Sequence, residues 1–165
     1  ANCYKQDFSW HPVGGTGLTA ILYTVVFFLH DPFWYLEAAV SHPHVVNTSP
    51  PTTTSETWTE TNDGRQFQYP LITIAANQGF ALSNITLANS TTSTTMTYAG
   101  TVAVGTSLVI DSANYTVSNA GTGDLANFTG AFVHLAAGAN SVTFTGDDCT
   151  VTFAYRIRFN TPAFD

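Results

Sequence analysis

Apolar residues are distributed along this chain in two different ways. Between Val25 and Leu29 they run without a break as VVFFL, a string of β-formers. The run stops at His30-Asp31-Pro32 and resumes at once as Phe33-Trp34-Tyr35. Pro32 has no N–H and pushes Asp31 toward an extended conformation, so a strand is expected to end there. Burying each of the three following rings is worth roughly 1.5–3 kcal/mol, and the chain ahead of them is too short to build a core alone. The stretch reads as an anchor that packs on a partner subunit or on the domain that follows. Val25, Phe27, Phe28, Phe33, Trp34 and Tyr35 are the expected interface residues.

From Tyr69 onward the apolar residues alternate instead. Leu71, Ile72 and Ile74 start a strand after Pro70, and Phe80, Leu82, Ile85 and Leu87 follow. Met96 and Tyr98, Val102 and Val104, Leu108 to Ile110, Tyr115 and Val117, Phe132 to Leu135, and Val142 and Phe144 come next. Each group is closed by a Gly- or Asn-containing turn or an Asp. Val151, Phe153, Tyr155, Ile157 and Phe159 hold one face of a long last strand, with Arg156 and Arg158 on the other, toward solvent or a neighbouring subunit. About eight or nine short strands at roughly 8–12-residue spacing predict an all-β fold, a sandwich or barrel. No segment carries a helical period, although Glu37 to Val40 could form a single turn.

Between the two regimes, residues 41–68 are dominated by Ser, Thr and Pro, with Pro50-Pro51 and a threonine run. That composition predicts an extended, solvated linker. Trp58 stands among polar neighbours there, as a surface-binding aromatic or a ring left exposed in a loose arm. Phe8 and Trp10 are spaced as on one strand face, and Gly14-Gly15-Thr16-Gly17 makes a loop before the strand at 18–29. Residues 1–40 are thus a hairpin-sized piece, incomplete as a domain. The expected division is 1–40 as the end of an N-terminal β domain, 41–68 as the linker and 69–165 as a β-sandwich.

Composition narrows the function. Charged residues are 9% of the chain, with a net charge of −7 and four basic residues. That argues against nucleic-acid binding, which needs a Lys/Arg surface. Low charge with 44% hydrophobic residues and abundant Thr suits an extracellular particle or a secreted module. The apolar stretch from Leu18 to Leu29 is too short for a helix that crosses a membrane. No basic segment precedes it and no small-residue cleavage site follows, so it does not read as a signal peptide. Cys3 and Cys149 could form a disulfide that ties the N-terminus to the last strand, or remain two separate buried thiols.

Candidate chemistry is sparse. His42 and His44 flank Pro43 and would point the same way in an extended segment, but no third ligand accompanies them. Asp31 reads as a strand terminator. Asp147-Asp148 reads as a β-turn and offers too few oxygens for calcium. No nucleophile, metal-protease or nucleotide-binding motif occurs, so neither an enzyme nor a cofactor is expected. Asn47, Asn84, Asn89, Asn114 and Asn127 each open an Asn-x-Ser/Thr triplet, as a threonine-rich chain yields by chance.

The succession LSNITLANSTTSTTMTYAGTVAVGTSLVIDSANYTV, followed by FVHLAAGANSVTFTGDDCTVTFAYRIRF, resembles the C-terminal domain of siphophage distal tail proteins. VVFFLHDPFWY resembles the end of that family's N-terminal ring-forming domain. The resemblance implies an antiparallel β-sandwich of galectin-like or jelly-roll type, outside a ring that is usually hexameric. It implies a structural protein of the virion tail, assembled in the host cytoplasm. Its partners would be other copies of itself, the tail tube protein and the hub proteins of the tail tip or baseplate. The family's N-terminal domain is longer than the stretch before Val40, so either that domain is reduced here or the chain is a piece of a longer protein. The alternative is a carbohydrate-binding or adhesion module that attaches to a host-surface glycan, with Trp58, Tyr98 and Tyr115 as candidate rings. Core packing is the competing assignment for Tyr98 and Tyr115.

Overall fold

The computed structural model describes residues 34–36, 38–46, 54–77, 79 and 81–159. The expected strand at 18–29, the interface residues Val25, Phe27, Phe28 and Phe33, and Cys3 lie outside the described residues. The described chain forms thirteen strands and a single 3-10 turn. In chain order these are β1 (Trp34–Tyr35), β2 (Val40–Val46), β3 (Thr54–Asn62), β4 (Leu71–Ala76), β5 (Ile85–Asn89), β6 (Thr94–Tyr98) and β7 (Ser107–Asp111). Then come β8 (Thr116–Asn119), β9 (Thr122–Gly123), the turn Leu125–Asn127, β10 (Phe128–Gly130), β11 (Gly138–Gly146), β12 (Cys149–Tyr155) and β13 (Arg158–Phe159).

Two antiparallel sheets make the sandwich that the alternation predicts. One has the order β10-β6-β5-β11-β3, the other β2-β12-β4-β7-β8-β9, and β1 pairs with β13 in a separate ribbon. Alternate residues of each strand enter a common core: Ile72 and Ile74 of β4, Leu87 of β5, Met96 and Tyr98 of β6, Leu108 and Ile110 of β7, Phe144 of β11, and Val151 and Phe153 of β12. All are buried. The outer face of the five-stranded sheet is a field of hydroxyls. Ser55, Thr145, Thr86, Thr97 and Thr129 stand opposite one another in a single rank across all five strands.

Three expectations need correction. Residues 41–68 are not a solvated linker: they contribute β2, which pairs along its length with β12, and β3, which pairs with all nine residues of β11. Polar side chains with β-branched neighbours fit an edge strand as well as a loose arm, provided their inward members find partners. The long last strand is two strands. β12 ends at Tyr155, and β13 joins β1 rather than the sandwich sheet. Val40 opens β2 rather than closing a helical turn.

Candidate functional site

The end of the sandwich near Gly138 is closed by residues 131–136, which cross from β10 toward β11. Buried amides hold this segment in place. Asn89 Nδ2 donates to the His134 carbonyl (2.8 Å) and to Asn140 Oδ1 (3.0 Å). Asn140 Oδ1 accepts from the Ala136 N–H (2.8 Å), and its Nδ2 donates to the carbonyls of Ala136 and Gly138 (2.9 Å each). Asn62 Nδ2 donates to the Ala136 carbonyl (3.0 Å), and Gln68 and Leu135 exchange two backbone bonds. All three asparagines are buried, so they satisfy backbone groups that would otherwise be stranded away from water.

With the backbone fixed, the period of two decides where side chains go. Val133 and Leu135 point into the core and are fully buried. Phe132 and His134 alternate with them and are half-buried, Phe132 still packed against the edge of the core, and rings gather on both. Phe128 stacks on Phe132 at 4.4 Å, and Tyr115 meets Phe132 edge-on at 5.3 Å. His134 lies between Phe67 (5.3 Å) and Tyr69 (5.8 Å). Phe67, Tyr69 and Tyr115 are exposed, Tyr115 by 61%. Tyr115 was a candidate for either the core or a sugar site; it is on the surface, whereas Tyr98 is in the core. Tyr115 also has φ +56°, the left-handed region that bulky residues rarely occupy. Its turn is held by Asp111, whose Oδ1 accepts the N–H groups of Ala113 and Asn114 (3.0 Å each) and whose Oδ2 accepts from Asn114 Nδ2 (2.7 Å). Partial burial pushes the Asp111 carboxyl up, but these bonds outweigh it and hold it below the usual carboxylate range. Asp124 is likewise held low, first by the Tyr98 hydroxyl and then by Asn127. Burial and that same bond push Tyr98 up to about 12, against a smaller opposing effect of Asn119.

A shallow cavity of about 170 Å³ adjoins the aromatic end, lined by Tyr35, Gln68, Tyr69, Ala113, Tyr155 and the arginines 156 and 158. Tyr35, one of the expected interface residues, is half-buried there, and the Arg158 guanidinium carbon lies 5.4 Å from its ring centroid. Arg156 is exposed, and Arg158 is half-buried. Trp34 pairs with Phe159 through its backbone.

The side of the sandwich where β2 and β3 form the two sheet edges is built differently. His42 of β2 pairs through Nδ1 with Glu60 Oε1 of β3, and His44 Nε2 lies 2.9 Å from Glu56 Oε1. Tyr155 donates its hydroxyl to the Thr61 carbonyl (2.8 Å) and lies 3.4 Å from Glu60 Oε1. Trp58, expected as a surface-binding ring, is half-buried in this seam. It stacks on His44 at 4.1 Å and meets Phe153 edge-on. His42 and His44 do point the same way, but each takes a glutamate from the opposite sheet. Among the described residues no three His, Cys, Asp or Glu side chains gather as a metal site requires. Cys149 is buried, and burial, with help from Asp148, pushes its thiol up to about 12. The Asp147-Asp148 turn joins β11 to β12, with Asp148 Oδ1 accepting from Asn77 (2.6 Å).

Phe67, Tyr69, Phe128, Phe132 and His134 were not singled out as site residues. The signal for them was the aromatic-x-aromatic spacing of Phe67/Tyr69, and the alternation of Phe132 and His134 with Val133 and Leu135, which already supply the core.

A family model described as the C-terminal domain of a siphovirus-type tail component matches residues 63–159, more than half of the chain. Comparison with curated proteins and with solved structures gives no match.

Proposed function

We propose a connector role for this chain, which belongs to the siphovirus-type tail component family. It is a structural part of the virion tail whose copies assemble through the N-terminal residues 1–40 into a ring, of about six copies by the family resemblance, between the tail tube and the tip or baseplate. The sandwich stands outside that ring. Val25, Phe27, Phe28, Phe33, Trp34 and Tyr35 make the contacts between copies, since a short apolar segment of this kind needs a neighbour to cover it.

The observation that supports this reading is the ribbon of β1 and β13. The family match begins at residue 63 and ends at Phe159, the last residue of β13. β1 comes from ahead of that span, yet it pairs with β13 and places Tyr35 in the cavity beside Tyr69. Trp34 and Tyr35, the end of the expected anchor stretch, are thus tied to the last strand of the sandwich region, which is where a ring domain carrying an outward module would need to be attached.

Mass photometry and negative-stain imaging of the purified full chain test the proposal. A closed ring is expected, and a Phe27→Ser/Phe28→Ser variant is expected to fall to monomers with an unchanged sandwich melting transition. A wild-type chain that stays monomeric at micromolar concentration overturns the ring.

A further inference from the structure

We infer that the outer corner formed by Phe67, Tyr69, Leu71 and Arg156 is a docking surface for an extended acidic segment of a partner protein. The segment that fits sets a carboxylate two residues from an aliphatic side chain. The inference goes beyond the connector role and does not depend on a ring, since a monomer would carry the same surface.

The apolar half of the surface comes from the period of two. Along residues 67–71, Gln68 and Pro70 are buried, so Phe67, Tyr69 and Leu71 face out together. They are 51%, 39% and 40% exposed. Apolar residues scattered singly over a surface are ordinary, but three large ones in one row mark a contact site. The row is roughly 13 Å long, the length of about five residues of extended chain, whose alternate side chains would face it.

Register places the charged half. Leu71 stands opposite Ala154 of β12. Arg156, two residues further on, therefore stands beside Tyr69, and both line the same cavity. Three of the chain's four basic residues, Arg65, Arg156 and Arg158, belong to this corner, and the Arg65 N–H donates to the Arg158 carbonyl (3.1 Å). Arg158 lies over the Tyr35 ring. Arg156 is exposed, and among the described residues no carboxylate forms an ion pair with it. Asp111 is across from Leu71, but its oxygens are already held by Ala113 and Asn114.

One buried side chain ties the two halves together. Gln68 exchanges two backbone bonds with Leu135 (2.9 Å each). Its amide, in the orientation that satisfies both ends, donates to the Arg156 carbonyl (2.8 Å) and accepts from the Arg158 N–H (2.6 Å). The aromatic row and the arginine are thus held in fixed relation before anything binds.

Size and charge select the occupant. The cavity of about 170 Å³ is below the roughly 300–1,000 Å³ of small-molecule sites, so it takes one side chain. A polyanion needs many cations at once, and the net charge of −7 repels it. A single carboxylate pairs with one guanidinium, in a bond about twice as strong as a neutral one. Arginine beside tyrosine is also the pairing enriched where protein interfaces bind most tightly.

The test is isothermal titration of the full chain with the peptide acetyl-Leu-Ser-Glu-Ser-Leu-amide, with its glutamine and lysine counterparts, and with inorganic phosphate. The acidic peptide is expected to bind with a Kd of about 1 mM or tighter, and about tenfold more tightly than the glutamine peptide. Arg156→Gln is expected to erase that preference with an unchanged melting temperature, because the side chain is exposed. Tyr69→Ser should weaken both peptides and keep their ratio. The proposal is overturned if the acidic peptide does not bind, or if the glutamine or lysine peptide binds as tightly. It is equally overturned if Arg156→Gln keeps the preference or Tyr69→Ser binds as the wild type does. Phosphate binding without peptide binding would make the corner a site for a lone ion and also overturn it.

Discussion

The seam between β2 and β3 and the aromatic end around Phe132 invert the usual order of a sandwich in opposite directions. At the seam, the inward positions of β3 are Trp58 and three polar residues, Glu56, Glu60 and Asn62, that normally face water. Glu60 is only 4% exposed. It is tolerated because His42 and Tyr155 meet it and because β2 brings His44 to Glu56. At the aromatic end, the outward positions carry Phe and Tyr, which normally face inward. The 131–136 segment there is pinned by three buried asparagines, and the turn of Tyr115 by Asp111. One region hides polar groups and satisfies them; the other exposes apolar rings and strains to do so. Satisfied buried polarity serves cohesion, since removing one member strands the rest. Exposed rings on a rigid support add little to cohesion and therefore point to recognition.

This contrast gives a ranked set of expectations. The largest effect belongs to Asn140→Ala, which removes the acceptor of the Ala136 N–H and of one Asn89 amide proton, and a donor to the carbonyls of Ala136 and Gly138, leaving Asn62 on the Ala136 carbonyl. A loss of about 3–4 kcal/mol is expected in denaturant unfolding. It shows that the support of the aromatic end, unlike its rings, is essential to the fold. Next comes His42→Ala, which leaves a buried carboxylate with only the Tyr155 hydroxyl. About 2–3 kcal/mol is expected, or a fall of roughly 5–10 °C in Tm. Glu60→Ala on top of it should cost little more, because the two act as a pair.

Acid has a smaller effect with a defined sign. Asp111 and Asp124 have folded-state pKa values held below the ordinary 3.8. The stability they contribute is therefore complete above that value and is lost as pH falls through the lowered one. Tm should decline as pH drops below about 4, and less steeply in Asp124→Asn, which is already uncharged at that position. The smallest effect on stability is expected at Tyr115. Replacement by glycine should change it by zero to about 1 kcal/mol in the favourable direction, relief of the left-handed backbone outweighing the added freedom of the unfolded chain.

How far the sequence foretold these two regions follows from the same inversion. Alternation identified Val142 and Phe144, Val151, Phe153 and Tyr155, and the pair Met96 and Tyr98, because their inward members are apolar. In TSETWTETN the period of two is just as regular. Its inward set, however, is polar, and nothing in one strand reveals that histidines of another will meet it. The stretch therefore read as a solvated arm. Trp58 stood out, but as a surface peg rather than a ring stacked within a seam. Tyr115 kept the period of the core but lies on the surface, and Phe132 is only half-buried at the edge of the core. Periodicity assigns residues to a face, and only the path of the chain decides which face is buried. The two C-terminal stretches that resembled distal tail proteins fall within the matched span, including the LVID segment of β7 and VTFTG at the end of β11, whereas VVFFLHDPFWY lies ahead of it. The expected interface residues Val25, Phe27, Phe28 and Phe33 lie outside the described residues, and their role in joining copies remains part of the proposed connector function.

The contrast between a region kept for cohesion and a region kept for display is tested most directly by melting His42→Ala and Tyr115→Gly side by side with the wild type, under one buffer at neutral pH. The account predicts a drop of about 5–10 °C for the first and a level or higher Tm for the second. A Tyr115→Gly protein that melts as low as His42→Ala, or a His42→Ala protein that melts with the wild type, would contradict it.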